Sequence, residues 1–266
     1  MIKNPTFGSD AEVFIRTLTD EVFPSCGLVG GTKDKPRSLG EGYFIQEDNV
    51  LVEFNIPPVK TSKAFASAFL TALRKVKNEL PPSVRIANFC SVSMNAAYIR
   101  HIVQAQVFGC DPDYNAWNMT QNDKPQAEDP LLRTAAAHVH IGWDEPIAED
   151  QINLIKMADI FVSIPSIKES SDRVRRQLYG KAGCFRPKDY GVEHRVLDNY
   201  WIFDPVYATA VFNRYEKAIK AVNAKLQIDE EDVSKIQQAI NTYDYNLGWE
   251  LYKKYNTKLA VAPQGE

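Results

Sequence analysis

Apolar and polar residues alternate along several stretches of the chain. This two-residue period predicts β-strands because successive strand side chains point to opposite faces of a sheet. Two of these strands form a hairpin, with Asp48-Asn49 in the turn and Pro57-Pro58 ending the second strand. A short strand, VEHRVL, follows the turn at Gly191. The pattern places strands at 7–15, 43–48, 50–56, 84–94, 134–143 and 192–197.

Helical periodicity starts at Ser62, which can cap a helix, and apolar side chains recur at helical spacing until Pro81-Pro82 ends the pattern. Near the C-terminus, Asp229 caps a helix whose apolar stripe reaches Leu251. The chain contains no linker or low-complexity run, so it is interpreted as one domain over 1–266. Helices are predicted at 62–80 and 150–165, with a polar continuation over 166–180, and over about 204–258.

Composition narrows the class of protein. The net charge of -3 and the pI near 5.9 argue against a general nucleic-acid or membrane-surface binder. No apolar run approaches the roughly 18 residues that a membrane span needs, and MIKNPTFGSD lacks the apolar region of a signal peptide. The four cysteines are scattered, which favours reduced thiols over a disulfide framework or a zinc site. We therefore predict a cytoplasmic protein.

Several carboxylates occupy strand positions where burial in an apolar core would be unfavourable. Asp10 and Glu12 share one face of the first strand, and Glu53 is embedded in an otherwise apolar strand. Neighbouring like charges repel, and a lone carboxylate in such a strand is costly unless it is paired or binds a metal. Glu47, just before the hairpin turn, is close enough to serve the same site. A bound cation would remove the repulsion, and the alternative is a face that is simply exposed to water.

Two further stretches suggest phosphate or metal chemistry. His138 and His140 lie on one face of their strand. They could serve as metal ligands or as hydrogen-bond donors to phosphate, or they could be hydrogen-bonded histidines beside a core. Downstream, Gly180 and Gly183 lie among several lysines and arginines before the E-x-R sequence of Glu193. Glu193 and Arg195 point the same way and His194 the opposite way, an arrangement suited to a cation beside a polyphosphate. The alternatives are a surface hairpin with an ion pair and a solvated basic face.

The order of these motifs resembles the phage-type COOH–NH2 (carboxylate–amine) ligases of type 2. These form an amidoligase branch of the glutamine synthetase and γ-glutamylcysteine ligase superfamily. The resemblance implies an α+β fold: a curved, mostly antiparallel sheet of the glutamine-synthetase catalytic type, helices on its outer face and a helical C-terminal part. It also implies a bacteriophage protein acting in the host cytoplasm. The motifs are G-x-D-x-E-x-F at 8–14, GGTK at 30–33, QEDN and EFNIPP within 46–58, HVHIGW at 138–143 and YGKAGCFRPKDYGVEHRVLDNYW at 179–201.

The resemblance further implies an ATP-dependent ligase that joins an acid to an amine through an acyl phosphate, with two or three Mg2+ or Mn2+ ions. Arg195 would contact the transferring phosphoryl group, with Glu53 and Arg186 as the other catalytic residues. One metal would be held by Glu12, Glu47 and Glu53, and the metal at the ATP phosphates by Asp10, His138 and Glu193. Arg176, Lys181 and Arg186 would neutralise the triphosphate, and His140 would lie near the nucleotide.

The sequence departs from glutamine synthetase: Asp10 replaces a glutamate, Glu47 and Glu53 are closer together, and the N-terminal domain is absent. Candidate substrates are small-molecule or peptide acids and amines, including a modified nucleobase, and the loops at 27–42 and 108–130 are predicted to select them. The same acidic and histidine set could serve a metal-dependent hydrolase or phosphatase. A non-catalytic protein with the same fold is the third reading. The substrates, the metal count and the oligomeric state are left open.

Overall fold

The computed structural model describes residues 1–102 and 113–262, except the side chain of Gln177. In chain order the strands are β1 Thr6–Val13, β2 Ile15–Thr17, β3 Val22–Phe23, β4 Arg37–Gly40, β5 Tyr43–Asp48, β6 Leu51–Val59, β7 Val84–Ile86, β8 Ser91–Ser93, β9 Tyr114–Asn115, β10 Leu132–Thr134, β11 Ala137–Gly142, β12 Cys184–Lys188 and β13 Gly191–His194. The helices are α1 Ser62–Glu79, α2 Ala96–His101, α3 Ala148–Ala158, α4 Ile164–Glu169, α5 Arg175–Leu178, α6 Pro205–Asn223, α7 Glu230–Asn241 and α8 Tyr245–Val261.

One antiparallel sheet of eight strands dominates the structure, in the order β4-β5-β6-β1-β11-β13-β12-β9. Two small sheets, β3-β2-β7 and β10-β8, accompany it. Helices α1, α3 and α6 pack together beside the sheet, and α6, α7 and α8 form the C-terminal part. The predicted α+β class, with an antiparallel sheet and a helical C-terminal part, is confirmed. The single-domain interpretation remains a prediction.

Strand alternation gives the large sheet two chemically different faces. In β1, Phe7, Ser9, Ala11 and Val13 are buried, whereas the residues between them are only partly covered. Phe7 packs against Phe65 of α1 and Phe212 of α6, which closes the core on that side. Burial of such large aromatic side chains is a main source of folding free energy. The partly covered face carries Asp10 and Glu12, so the core and the candidate site lie on opposite sides of the same strand.

Several element boundaries differ from the predictions. Strand β6 continues through Pro57 and Pro58, because the β1–β6 register shifts between Phe7 and Ser9 and this irregularity tolerates residues without a backbone N–H. The stretch 84–94 contains two short strands instead of one. The cap of α1 is Thr61 rather than Ser62, because the Thr61 hydroxyl accepts the Ala64 N–H.

The predicted polar helix over 166–180 is wrong as one continuous helix, because only 166–169 and 175–178 are helical there. Helix α3 passes through a five-residue π-helical turn, Asp159–Ser163, into α4, which ends at Glu169. The Ser170 hydroxyl then donates to Asp198, and only the short α5 follows. The long apolar stripe after Asp229 is divided between α7 and α8. No helix in the described ranges is long and apolar enough to cross a membrane.

Candidate active site

The candidate residues come together because the strands that carry them are neighbours in the sheet. Asp10 of β1 lies opposite His138 of β11, and His140 lies opposite Glu193 of β13. On the other side of β1, Glu12 lies opposite Glu53 of β6, in the same register. Cross-strand partners share a face of the sheet, so residues far apart in the sequence form one polar surface. We call this surface the acidic face.

Asp10 is the centre of the closest group on the acidic face. His138 Nδ1 lies 3.0 Å from Asp10 Oδ1 and 3.6 Å from Glu193 Oε1. His140 Nε2 lies 3.3 Å from Asp10 Oδ2, and its Nδ1 lies 2.5 Å from the Tyr190 hydroxyl. One ligand atom each from Asp10, His140 and Glu193 can be chosen within 4.8 Å of one another. His140 is predicted to lie near the nucleotide. In the structure it belongs to the group around Asp10.

Glu193 is fully buried and is surrounded by cations. Its Oε1 accepts from Arg186 Nη1 at 3.2 Å and from Arg195 Nη1, and Lys188 Nζ lies 2.9 Å from Oε2. The other side of Arg195 is fixed, since its Nε donates to Asp113 Oδ2 at 3.3 Å. The E-x-R pair therefore points to one face as predicted. A buried carboxylate is tolerated here because several charge-assisted hydrogen bonds offset its desolvation.

Electrostatics divide the acidic face into two parts. Burial raises the pKa of Asp10, but His140 and His138 outweigh this effect and hold it well below its usual value. Burial and Asp10 also raise the pKa of Glu193, yet Arg195 and the histidines lower it to about 2. Burial and the Arg195 charge lower the pKa of His138 to about 4. This part of the face therefore presents ionised carboxylates at neutral pH.

The second part of the face holds carboxyl groups that resist ionisation. Burial, followed by the charge of Asp48, raises the pKa of Glu12 to about 8. Burial and the charges of Asp10 and Glu12 raise the pKa of Glu53 well above its usual value. Glu12 Oε2 accepts the Ala136 N–H at 2.7 Å, and Glu53 Oε2 accepts from Gln46 at 2.8 Å. These groups share a face, but their ligand atoms do not form a tight triad among the described residues.

Glu47 does not join Glu12 and Glu53. It lies opposite Val52, on the core-side face of the hairpin, whereas Glu53 lies opposite Gln46. Its carboxylate accepts the N–H groups of three residues of the earlier loop between β3 and β4, which orders that loop. These donors are Gly27, Val29 and Gly30, at 2.8 to 3.1 Å. The placement of Glu47 in the metal set is therefore corrected, because adjacent strand residues point to opposite faces.

Asp48 takes the position expected of Glu47. It follows Glu47 by one residue, so its side chain points to the acidic face, where it borders a pocket that Glu12 also lines. Burial, opposed by Lys33 and aided by Asp10, raises the pKa of Asp48. The hairpin register alone could have identified Asp48. Gln46 pairs with Glu53, and Asp48 lies two residues after Gln46, so all three side chains share one face.

The contrast between these neighbours gives a prediction. Asp48→Asn should weaken Mn2+ binding by at least about tenfold, because it removes a charge from the acidic face. Glu47→Gln should leave Mn2+ affinity within about twofold and lower thermal stability, because it loosens the Gly27–Gly30 loop. Isothermal titration calorimetry and thermal melts measure both variants. Equal losses of affinity in the two variants would contradict the face assignment.

Arg176 is also displaced from its predicted role. It is buried beneath the site, where its Nη2 donates to Ser166 and its guanidinium stacks on the Tyr243 ring. Its neighbour Arg175 instead lines the pocket beside Glu12. Arg175 Nη1 donates to the Val196 carbonyl at 2.9 Å. Adjacent residues in a helical turn point in different directions, so one position decides which arginine reaches the pocket.

Gly180 makes room for this arginine. A Cβ at Gly180 would lie 2.1 Å from Arg175 Nη1, and the backbone has φ of +71°. Lys181 is exposed and lines a second pocket of about 170 Å3, which Lys124, Asp113 and Cys184 also line. This second pocket adjoins the acidic face through the contact between Asp113 and Arg195. The predicted triphosphate residues are thus divided, with Arg186 and Arg195 at Glu193 and Lys181 at the neighbouring pocket.

The predicted selectivity loops have different places. Residues 121–125, within the predicted loop 108–130, line the second pocket, whereas 108–112 lie outside the described residues. The loop at 27–42 contacts Glu47 through Gly27–Gly30 and borders neither of these two pockets. The first pocket is instead lined by the hairpin turn Asp48–Leu51 and by Arg133 and Thr134.

The residues present fit a divalent cation of the Mg2+ type. The close group offers carboxylate oxygens and imidazole nitrogens and no thiolate, which is the donor set that hard divalent ions accept. Glu12, Asp48 and Glu53 add further oxygen donors on the same face. Burial first, and repulsion between neighbouring carboxylates second, raise the pKa values of Glu12 and Glu53, and a bound cation would offset both effects.

The open face of the antiparallel sheet combines clustered carboxylates, two histidines and several lysine and arginine side chains, which are types of group that can bind metal ions and phosphate. The model of the family phage phiEco32-like COOH·NH2 ligase-type 2 matches residues 134–260, just under half of the chain. This match confirms the resemblance recognised in the motifs. It includes His138, His140, Glu193 and Arg195, whereas Asp10, Glu12 and Glu53 precede it.

Solved structures also show similarity. A bifunctional glutathione synthetase from Pasteurella multocida matches with a TM-score of 0.44 and 11% identity, covering 96% of this chain and 52% of that one. A novel glutamine synthase homolog matches with a TM-score of 0.31 and 12% identity, covering 97% of this chain and 68% of that one. The chain therefore spans about half the length of the glutathione synthetase. A search of curated proteins gives no match.

Proposed function

We propose that the chain is an ATP-dependent carboxylate–amine ligase that forms an amide bond through an acyl phosphate. The observation that carries this proposal is the convergence of Asp10, His140 and Glu193 beside Arg195, on strands that the ligase family model largely covers. We further propose that residues 1–266 act as one catalytic domain, since the β1 and β6 acids share a face with the β11 and β13 residues.

Amide formation explains why such a face is needed. A carboxylate is a poor acyl donor because its leaving group would be oxide. In the proposed first step, a substrate carboxylate oxygen bonds to the γ-phosphorus of ATP as the bond to ADP breaks. In the second, an amine attacks the carbonyl carbon, phosphate leaves, and the amine gives up a proton. Phosphoryl transfer depends mainly on positioning and charge neutralisation.

The chain's cations suit the first step. Arg195 is buried and held between Glu193 and Asp113, so its guanidinium is fixed before substrate binds. A preorganised donor of this kind stabilises charge that develops in the transition state. Arg186 and Lys188 lie on the same side of Glu193 and would face the phosphates. Arg175, rather than Arg176, would meet the acid substrate, because Arg175 lines the pocket beside Glu12.

Two groups of residues would hold the metal ions. Asp10 and Glu193, with His138 and His140, would bind the ion at the ATP phosphates. Glu12, Asp48 and Glu53 would bind the ion nearer the acid substrate. Mg2+ or Mn2+, when bound, neutralises phosphate charge and orients the acceptor carboxylate.

Metal binding should depend on pH in a defined direction. The pKa of Glu12 is about 8 in the metal-free protein, so this carboxyl group is mainly protonated at pH 7 and must lose its proton to bind a cation. Glu53 and Asp48 also have raised pKa values, so the affinity for Mn2+ should rise from pH 6.5 to 8, by up to about tenfold per pH unit for each proton released. Calorimetry in buffers of different ionisation enthalpy should show proton release. Affinity that is constant from pH 6.5 to 8 would contradict this assignment.

The activity itself is tested by screening paired carboxylates and amines for ADP release with ATP and Mg2+, followed by mass spectrometry of the product. The libraries should include amino acids, polyamines, peptides, peptidoglycan fragments and modified nucleosides. A ligase gives ADP, phosphate and an amide together. Cleavage of phosphoesters or amides without nucleotide would instead identify a hydrolase or phosphatase. A protein that binds no nucleotide in the presence of metal would be a non-catalytic member of the fold.

A further inference from the structure

A second buried polar cluster lies behind the acidic face, on the core side of β13. His194, between Glu193 and Arg195, points into this cluster and is fully buried. Its Nδ1 lies 2.7 Å from the Tyr215 hydroxyl, and its Nε2 lies 3.7 Å from Asp159 Oδ1. Asp159 is also fully buried and begins the π-helical turn between α3 and α4. A buried carboxyl group inside a helical layer is costly unless several donors satisfy it.

Asp159 is satisfied by donors from separate segments of the chain. Its Oδ2 accepts from the Trp117 indole Nε1 at 2.7 Å and from the Gly183 backbone N–H at 2.6 Å. Its Oδ1 accepts from the Ser163 hydroxyl at 3.0 Å. A single side chain therefore connects the segment after β9, the glycine loop before β12 and the helical layer. The π-helical turn, a local irregularity often found at functional sites, places this carboxylate where the segments meet.

The glycine loop is closely packed at the point where Asp159 accepts its Gly183 N–H. Gly183 has φ of +77°, and a Cβ there would lie 2.5 Å from Asn115 Oδ1 and 2.6 Å from Trp117 Cδ1. Cys184 follows directly and begins β12, which places Arg186 beside Glu193 two residues later. A shift of Gly183 would therefore move Arg186 with it.

We propose that Asp159 is a positioning residue that fixes the glycine loop Gly180–Gly183, and through it Arg186, for binding of the ATP phosphates. Asp159 acts from the opposite side of the sheet and does not touch the acidic face. The part of this inference that concerns ATP binding rests on the proposed function. The structural half, that Asp159 holds the loop, stands independently of any activity.

The test compares four proteins: the wild type, Asp159→Ala, Asp159→Asn and Leu251→Ala. Asp159→Ala removes the acceptor of both Gly183 and Trp117, so affinity for Mg·ATP should fall at least about tenfold. Asp159→Asn keeps one oxygen for these two donors and should bind within about threefold of the wild type. Leu251→Ala, a buried apolar truncation in α8, should lower the melting temperature with unchanged affinity.

Hydrogen exchange separates this inference from the proposed function. Exchange of the amides in 180–188 should become faster in Asp159→Ala but not in Leu251→Ala. If the wild type binds no Mg·ATP, the ATP proposal fails and the exchange comparison still decides whether Asp159 holds the loop. The inference is overturned if Asp159→Ala binds Mg·ATP like the wild type, or if exchange in 180–188 does not change.

A second variant covers the case in which Asp159→Ala does not fold. Gly183→Ala leaves Asp159 intact but forces the loop away from it, since the new Cβ would collide with Asn115 and Trp117. This variant should show the same loss of Mg·ATP affinity, at least about tenfold, with faster exchange across the loop. Wild-type affinity and exchange in Gly183→Ala would overturn the inference.

Discussion

Replacement of Arg195 by alanine is expected to slow ADP release by about 10²–10³, the usual scale for the loss of one preorganised transition-state donor. Arg195 is buried between Glu193 and Asp113, so no other side chain can take its position without rearrangement. Glu193 retains Arg186 and Lys188, so the fold should survive. The measurement is turnover with the best acid–amine pair, together with circular dichroism to show that the variant is folded.

Arg85→Ala is the matched control for this prediction. Arg85 is an exposed arginine on β7, in a separate small sheet, where it pairs with Asp20. Its loss removes the same side chain and charge from the protein without touching the acidic face, so turnover should stay within about twofold. Wild-type turnover in Arg195→Ala would remove Arg195 from the chemistry. A loss in Arg85→Ala of the same size would show that the effect is not local.

The second large effect is expected from Glu53→Gln, which keeps the shape of the side chain and an oxygen for Gln46. Affinity for Mn2+ should fall at least about tenfold, because one charged oxygen donor is lost. The metal-free protein should become more stable at pH 8, by a few degrees in melting temperature. Burial and neighbouring carboxylates raise the pKa of Glu53 in the folded state, so its ionisation destabilises the fold as the pH rises above its unfolded value.

Glu41→Gln is the control for Glu53→Gln. Glu41 lies at the turn between β4 and β5, where it is exposed and 3.4 Å from Lys75. Glu41 has the same side chain and charge as Glu53. It lies in a turn at the end of the β4–β5 pair and not on the acidic face. Neither Mn2+ affinity nor the metal-free melting temperature should change appreciably. Overlapping metal titrations for Glu53→Gln and the wild type would show that the ligand assignment is wrong.

Much of the fold could be predicted from local pattern alone. Alternation identified the strands that carry Asp10, His138 and Glu193, and helical spacing identified α1. The pattern does not fix where each element ends, because a strand can pass through prolines at a register shift, as β6 does. A continuous helical stripe can also be divided, as after Asn241, where the backbone of Tyr243 has a positive φ of 56°. Such breaks depend on packing that a local pattern does not contain.

The site shows the same division between sequence and structure. Residue type and alternation identified the face of Asp10, Glu12, His138 and Arg195, because these follow from the two-residue period of a strand. Alternation did not decide which of two adjacent residues reaches the site. This applies to Glu47 and Asp48, and to Arg175 and Arg176. Each choice requires the hairpin register or the orientation of a short helix, which a change of one residue reverses.

The sequence by itself determined the chemical inventory: an α+β chain with acids, histidines and an E-x-R pair on strands, in the order of a known ligase family. Only the tertiary structure decided which of these groups meet. The strand order β6-β1-β11-β13 brings Asp10 close to Glu193 and puts Glu12 and Glu53 on the same face, and the core behind it places Asp159 under the glycine loop. The physical reason is that a strand pattern fixes the face a side chain occupies, whereas pairing between distant strands fixes its neighbours.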